Sequence, residues 1–278
     1  MPLPHSDAND DHLVRGPAGG TDRLRAIMRR LRDPVSGCPW DIVQTFGTIG
    51  PYTIEEAYEV ADAIDRAAWG ELSGELGDLL LQVVYHSQMA AEAGLFDFDD
   101  VVRGISDKMV ARHPHVFGDE PRDKSPVQQT ADWEKIKAAE RGRARVLDGV
   151  AMGLPGLTRA VKLQSRAARV GFDWPSTDQV LSKIVEEAAE LVEARDTMTP
   201  TEVADEMGDL LFVMANLARH LKVDPEAALR GANAKFSRRF GRIEDWLATA
   251  GKTPAQSDLA EMDALWDRAK AEEKQAKL

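Results

Sequence analysis

The chain has 278 residues, of which 43% are hydrophobic and 29% are charged, and its formal net charge is −12. This composition is typical of a globular protein long enough for two domains, and it excludes a disordered chain. No apolar run approaches the roughly 20 residues of a membrane-spanning helix, so we expect no membrane partner. The acidic excess argues against a surface for duplex nucleic acid. The single cysteine, Cys38, excludes an internal disulfide and a CxxC metal site.

The first 20 residues lack the apolar segment of a secretory signal, and they predict a flexible N-terminal arm and a cytoplasmic location. Helical periodicity dominates the rest of the chain, and alternation with period two is nearly absent, so we predict an all-α fold. A first helix is predicted from Thr21 to about Arg32, where the sequence RDPVSGCPWD ends it.

Three more helices complete a first unit, predicted over residues 21–118. The second helix is predicted to bury one stripe, made of Ile54, Ala57, Tyr58, Ala61 and Ile64. The third begins near Glu71 and is predicted to turn inward Leu72, Leu76, Leu79 and Val83. The fourth runs from about Phe98 to Arg112. Four helices are enough to close a bundle.

Residues 119–156 are rich in Pro, Gly and charge, and they include TADWEKIKAAERGRA, which is predicted to be helical. We interpret them as a partly helical linker. A second unit over 157–278 repeats the plan of the first, with helices predicted over 157–168, 177–195, 200–221 and 225–246. The predicted architecture is therefore two tandem four-helix units.

A pattern of five acidic residues occurs twice at a constant offset of 131 positions, as from Glu55 to Glu186. The first copy consists of Glu55, Glu56, Glu59, Glu75 and Asp78, and the second of Glu186, Glu187, Glu190, Glu206 and Asp209. The neighbouring letters repeat as well, with EEAYEV matching EEAAEL and ELGDLL matching EMGDLL. The chain is therefore a tandem duplication of one carboxylate-bearing unit.

Helix residues three and four positions apart are neighbours, so each copy presents two carboxylates on each of two helices. Acidic runs are usually solvated, and Thr53 with Glu56 could form a capping box, but a doubled pattern favours a metal site. Mg²⁺ prefers such oxygen ligands, and Mn²⁺ is expected to substitute for it. The predicted ligands are Glu56, Glu59, Glu75 and Asp78 in the first unit, and Glu187, Glu190, Glu206 and Asp209 in the second.

These acids, together with the segments GCPWD, TIEEAYEV, ELGDLL, HPHVFGD, VGFDW and NAKFSRRF, resemble the MazG family of tandem-domain nucleoside triphosphate pyrophosphohydrolases over about residues 23–266. The resemblance implies Mg²⁺-dependent hydrolysis of (d)NTPs between the α and β phosphates, which yields a (d)NMP and pyrophosphate. It also implies a homodimer, broad base specificity and a role in removing noncanonical nucleotides.

Several residues of the second unit are candidates for catalysis or substrate binding. Glu186 lies beside the metal acids and is a candidate either to hydrogen-bond the attacking water or to be an acid outside the reaction. Candidates for holding the nucleotide are Lys183, Asn233, Lys235, Arg238 and Arg239. The resemblance adds Trp266 near the base, although a core role for this residue stays open.

The two copies are unequal. The first unit has Tyr52 in place of Lys183, Ser106 in place of Asn233, and Ala111 in place of Arg238. We therefore predict that the second unit is the main active site, and that the first keeps metal binding, another substrate or a regulatory role.

Other functions were weighed against this one. A ferritin-like di-metal bundle needs a His where Asp78 and Asp209 stand, and no P-loop sequence is present. A dUTP-type or phosphoribosyl-ATP-type pyrophosphatase would carry similar acids. A non-catalytic nucleotide sensor or partner-binding scaffold would bind nucleotide without releasing pyrophosphate.

Overall fold

The computed structural model describes residues 8–16, 19–119, 123, 125, 126, 128–130, 132, 133, 136 and 145–275. These residues contain helices and no β-strand, which confirms the predicted all-α class. The chain divides into two compact units, Met1–Glu140 and Arg141–Leu278. Much of the linker segment predicted to be helical lies outside the described residues. No helix in the described part is long and apolar enough to cross a membrane.

The first unit is built around a pair of long helices. Its helices are α1 (Ala8–Arg15), α2 (Thr21–Leu31), α3 (Pro39–Ile42), α4 (Phe46–Asp65), α5 (Trp69–Glu92), α6 (Phe98–Arg112) and α7 (Pro114–Phe117). Helices α4 and α5 pack along each other, and α2 and α6 pack on α5. The core between them consists of Met28, Ile49, Val84, Tyr85 and Met89.

The second unit repeats the long pair. Its helices are α8 (Gly156–Ala168), α9 (Thr177–Thr197), α10 (Pro200–His220), α11 (Pro225–Thr249) and α12 (Leu259–Gln275). Helix α9 packs along α10, α8 packs on α10, and α12 packs on α11. Buried apolar side chains include Val180, Val213, Ile243 and Leu247. Helix α12 is an addition to the predicted four-helix plan.

Residues at the helix starts explain where the long helices begin. The side chain of Thr45 accepts a hydrogen bond from the Thr48 amide at the start of α4, and that of Thr199 accepts one from the Glu202 amide at the start of α10. Because α4 begins at Phe46, Thr53 and Glu56 lie well inside the helix. The capping box considered for these two residues is therefore absent, and Glu56 is available for another role.

Part of the N-terminal arm differs from the prediction. Residues 1–7, 17 and 18 lie outside the described residues, but Ala8–Arg15 form helix α1, which packs on α2. The Arg23 Nε atom donates a hydrogen bond to the Val14 carbonyl oxygen over 3.2 Å. The helix is held by this contact with α2, which the local pattern of the first 20 residues does not reveal.

The predicted buried stripes on α4 and α5 are partly wrong. Leu76 and Val83 are 49% and 38% exposed, and Ile54, Tyr58 and Ile64 are also exposed. The reason is that α2 and α6 pack on α5 and leave another side of the α4–α5 pair uncovered within the unit. We call Leu76, Leu80 and Val83 the outer stripe of the first unit. Their counterparts, the outer stripe of the second unit, are also exposed: Met207, Leu211 and Met214.

Candidate active site

Each long helix pair brings three carboxylates together. In the first unit, carboxylate oxygens of Glu56 on α4 and of Glu75 and Asp78 on α5 lie within 4.8 Å of one another. The spacing of the acids explains this, because residues three positions apart share a helix face. We call these three residues the first cluster. Glu59, the remaining predicted ligand, hydrogen-bonds to Glu56 and is exposed.

The second unit forms a corresponding group from different positions of the pattern. Carboxylate oxygens of Glu187 and Glu190 on α9 and of Glu206 on α10 lie within 4.8 Å of one another. We call these residues the second cluster. Glu187 is buried, whereas Asp209, one turn after Glu206, is exposed and does not belong to the group. The structure therefore gathers three of the four predicted ligands in each unit.

Repulsion between carboxylates is evident in both clusters. The pKa of Glu56 is raised by burial, by its hydrogen bond to Glu59, and by the negative charges of Glu59, Asp78 and Glu55. The pKa of Glu190 is also raised by burial, and Lys183 opposes this effect while other acids add to it. Each cluster therefore holds more negative charge than its side chains can stabilise alone.

The donor set fits a small divalent cation. Mg²⁺ takes hard oxygen ligands at about 2.1 Å, so two ligands on opposite sides of one ion are about 4.2 Å apart. In each cluster the carboxylate oxygens lie within 4.8 Å of one another, which is compatible with that distance. The carboxylates could bind one ion after small changes of side-chain torsion angles, and they leave room for water and phosphate oxygens.

A lysine contacts the second cluster. The Lys183 Nζ atom lies 2.7 Å from Glu186 Oε1 and 2.7 Å from Glu187 Oε1, which raises the pKa of the lysine. In the first unit, the ring of Tyr52 stands at this position and packs edge-on against Trp40, with 6.3 Å between ring centroids. At this position the two copies therefore differ in the charge beside the predicted metal ligands.

Comparisons with known proteins identify the family. Residues 44–117 match the MazG nucleotide pyrophosphohydrolase domain, and residues 157–235 match phosphoribosyl-ATP pyrophosphohydrolase. The chain is 49% identical over 257 residues to a nucleoside triphosphate pyrophosphohydrolase of Escherichia coli (strain K12), covering 91% of this chain and 97% of the relative. The chain belongs to the MazG family. This family membership confirms the predicted enzyme class, a hydrolase acting on acid anhydrides.

A second MazG relative supports the assignment. The chain is 43% identical over 251 residues to the nucleoside triphosphate pyrophosphohydrolase/pyrophosphatase MazG of Thermotoga maritima, with coverage of 90% of this chain and 95% of the relative. Because both alignments span the two units, the tandem arrangement that the sequence predicts is shared with these relatives.

Apart from Lys183 on α9, the predicted nucleotide-binding residues of this MazG-family chain lie on α11 and α12. Arg238 and Arg239 both donate to Glu273, from Nε atoms at 2.8 and 2.9 Å. Asn233 and Lys235 are exposed on α11. In the described part of the chain, no hydrogen bond or ion pair joins these α11 residues to the second cluster. Glu273 was not among the predicted site residues, although paired acids on a helix that follows paired arginines are a usable signal.

Trp266 lies half-buried between α12 and α11. Its ring is 5.4 Å from the Phe236 ring, and the Arg239 guanidinium lies 5.3 Å from its centroid. The indole therefore makes a packing contact and a cation–π contact with α11. Trp266 thus lies beside a predicted phosphate-binding arginine, and its contact with a base stays a prediction.

Both units attach the loop before the acidic α4 or α9 helix to the following long helix. In the first unit, the Tyr85 hydroxyl donates to Asp41 Oδ1 over 3.0 Å, and Arg32 Nη1 donates to the Asp41 carbonyl oxygen over 2.6 Å. In the second unit, Asp173 accepts hydrogen bonds from Arg219 and His220. These contacts fix the start of each metal-ligand helix.

Proposed function

We propose that this chain is a Mg²⁺-dependent nucleoside triphosphate pyrophosphohydrolase, with the second unit as its main active site. It hydrolyses (d)NTPs between the α and β phosphates and releases a (d)NMP and pyrophosphate. The observation that carries this proposal is the convergence of Glu187, Glu190 and Glu206, with the Lys183 ammonium beside them. The two relatives named above carry the same activity in their names.

The second cluster would hold Mg²⁺, with Asp209 one turn after Glu206 as a fourth ligand. Mg²⁺ held there would neutralise charge on the phosphates and make the attacking water more acidic. Glu186 accepts a hydrogen bond from the attacking water and takes its proton. The water oxygen forms the new bond to phosphorus, the α–β anhydride bond breaks, and pyrophosphate leaves. Lys183 then donates to phosphate oxygens instead of to Glu186.

The basic residues of α11 would bind the rest of the triphosphate. Arg238 and Arg239 each keep N–H donors that do not point to Glu273, and Lys235 and Asn233 are exposed on the same helix. Trp266 would stack against the base beside Arg239. Stacking and phosphate contacts do not depend on which base is present, so we propose broad base specificity and removal of noncanonical nucleotides from the cytoplasmic pool.

We also propose that the chain is a homodimer. The outer stripes defined above leave large apolar side chains exposed at corresponding positions of both units. Regular stripes of this kind on helices are typical of surfaces that a partner covers. A second copy of the chain supplies a matching stripe, as the other unit of the same chain also does, and the homodimer is the pairing that we propose.

The test of the activity is product analysis by anion-exchange chromatography after incubation with a panel of NTPs and dNTPs plus Mg²⁺. We expect monophosphate and pyrophosphate from the wild type. Glu206→Gln should lower turnover by about 10³-fold, because it removes a metal ligand from the reacting site. The matched variant Glu75→Gln, which removes the same ligand from the first unit, should change turnover less than twofold. Nucleoside diphosphate and orthophosphate as products would overturn the proposal, and so would nucleotide binding without turnover.

A second candidate substrate is phosphoribosyl-ATP, because residues 157–235 match the family model of that pyrophosphohydrolase. Its anhydride bond joins the same α and β phosphates, so the second cluster could act on it in the same way. Including it in the panel separates the candidates by their kcat/KM values. We expect the ordinary triphosphates to be preferred.

A further inference from the structure

The ammonium group of Lys183 occupies a place where positive charge is needed. It forms ion pairs of 2.7 Å with Glu187, a member of the second cluster, and with the adjacent Glu186. The Glu187 side chain is 7% exposed and that of Lys183 is 29% exposed, so water screens this pair only in part. Lys183 therefore already neutralises charge that a bound metal ion would neutralise.

The first cluster has a neutral residue at the matching position. Tyr52 packs on Trp40, and the neighbouring charges that act on Glu56 come from Glu59, Asp78 and Glu55. The repulsion among these acids is relieved most directly by a divalent cation. The two clusters thus have similar carboxylates, but the second has the ammonium group of Lys183 beside it where the first has the neutral ring of Tyr52.

We propose that Lys183 acts as an internal counterion that weakens divalent metal binding at the second cluster until a triphosphate draws its ammonium away. The first cluster, where Tyr52 replaces the lysine, binds the ion without nucleotide. The proposal rests on the proposed function for the identity of the metal and of the triphosphate, and it adds an order of binding that differs between the units.

The expected size of the effect follows from Coulomb's law. An ion held by Glu187 would lie about 5 Å from the Lys183 ammonium, and repulsion between a double and a single positive charge at that distance weakens binding about tenfold in salt solution. When a triphosphate takes the lysine as its partner, that penalty is removed. By linkage, the ion and the triphosphate then strengthen each other's binding by the same factor.

The test measures the binding of Mn²⁺, whose free concentration is read from its electron paramagnetic resonance signal. Glu75→Gln disables the first cluster, so Mn²⁺ binding to this variant reports the second cluster. Glu206→Gln disables the second cluster, so binding reports the first. Lys183→Met is tested in the Glu75→Gln protein, and Tyr52→Lys in the Glu206→Gln protein. The matched control is Lys270→Met, because Lys270 forms a helix ion pair of 3.1 Å with Asp267, which belongs to neither cluster. Circular dichroism verifies that each variant is folded.

Without nucleotide, Lys183→Met should raise the Mn²⁺ affinity of the second cluster about tenfold, and Tyr52→Lys should lower that of the first about tenfold. An analogue with a methylene group between the α and β phosphates should raise Mn²⁺ affinity in the Glu75→Gln protein but have little effect once Lys183 is removed. Mn²⁺ binding to the analogue alone is measured separately and subtracted.

Two results would contradict the proposal, and the second of them would also contradict the proposed function. If Lys183→Met leaves Mn²⁺ affinity unchanged or lowers it while both clusters bind the ion, the counterion role is overturned and the proposed function stands. If neither cluster binds Mn²⁺ with or without the analogue, the metal-dependent function fails, and the counterion role fails with it.

Discussion

In the first unit, the loop before the metal-ligand helix is held by Tyr85 and by Arg32, whose side chain is only 8% exposed and pairs with Glu92 at 2.6 Å. In the second unit, the corresponding loop is held by Asp173 through Arg219 and His220. In both attachments an aspartate carboxylate accepts hydrogen bonds from the long helix, but its donor in the first unit is a phenol whose pKa burial raises to about 12, whereas the donors in the second are a guanidinium and an imidazole. Duplication preserved the position of the attachment but not its chemistry.

The acidic clusters of the two units also keep their positions but differ in the side chains around them. Acids recur at the matching positions in both units, but the second unit adds Lys183, Arg238 and paired contacts to Glu273. The positions predicted to bind a metal ion changed little after duplication, while those predicted to bind phosphate diverged. We infer that metal binding has a purpose in both units and that phosphate handling is concentrated in one.

The largest expected effect comes from removing the buried guanidinium. Arg32→Ala should destabilise the first unit by about 3 kcal/mol, because it removes the cation that pairs with the partly buried Glu92 and leaves that carboxylate with the neutral donor Gln88. Hydrogen exchange read by mass spectrometry follows each unit separately, and protection should fall in α2, α3 and α5 only. Arg219→Ala is the matched variant in the second unit and should cost less. Equal losses would mean that the two attachments are equivalent.

A smaller effect is expected at the outer stripes. Leu80→Lys and Leu211→Lys should each weaken the proposed homodimer by about 2 kcal/mol, because a charge replaces an apolar contact. Sedimentation velocity at several protein concentrations measures the change, and the double variant should be monomeric at micromolar concentration. Leu95→Lys is the control, since Leu95 is exposed outside the stripes. Unchanged sedimentation of the double variant would show that the stripes are not the interface.

The smallest effect is a pH dependence confined to the second unit. Burial alone would raise the pKa of Asp173, but the hydrogen bonds and charges of Arg219 and His220 lower it on balance. A carboxyl whose pKa is lower in the folded state than in the unfolded state stabilises the fold at pH values above its unfolded-state pKa of about 3.9. This stabilisation is lost as the pH falls through the folded-state pKa. Asp173→Asn should therefore cost about 1 kcal/mol at pH 6 and almost nothing near pH 2.

Denaturant titrations at both pH values measure this difference, with hydrogen exchange assigning it to the second unit. A cost that is equal at pH 6 and pH 2 would mean that Asp173 acts through packing and not through its charge.

The sequence was a good guide wherever the information is local or repeated. Periodicity predicted most of the long helices within a few positions, and the repeated acids predicted most of the residues that meet in each cluster. The same reasoning failed at Leu76 and Val83, because a helix stripe looks identical whether its own chain covers it or not. It also missed α1 and Glu273, because both depend on contacts between separate helices. The exposed Glu59 and Asp209 depend on side-chain torsion angles that spacing leaves free.

Because the Arg239 guanidinium lies over the ring of Trp266, this tryptophan can report nucleotide binding. The emission of an indole ring responds to a nearby cation, and a triphosphate that draws Arg239 away from Glu273 would change the surroundings of this ring. Nucleotide arrival at α11 would then be visible as an intrinsic fluorescence signal, without any attached dye. Because the chain has six tryptophans, the difference between the wild type and Trp266→Phe isolates the signal. Stopped-flow mixing could then time substrate arrival separately from bond cleavage.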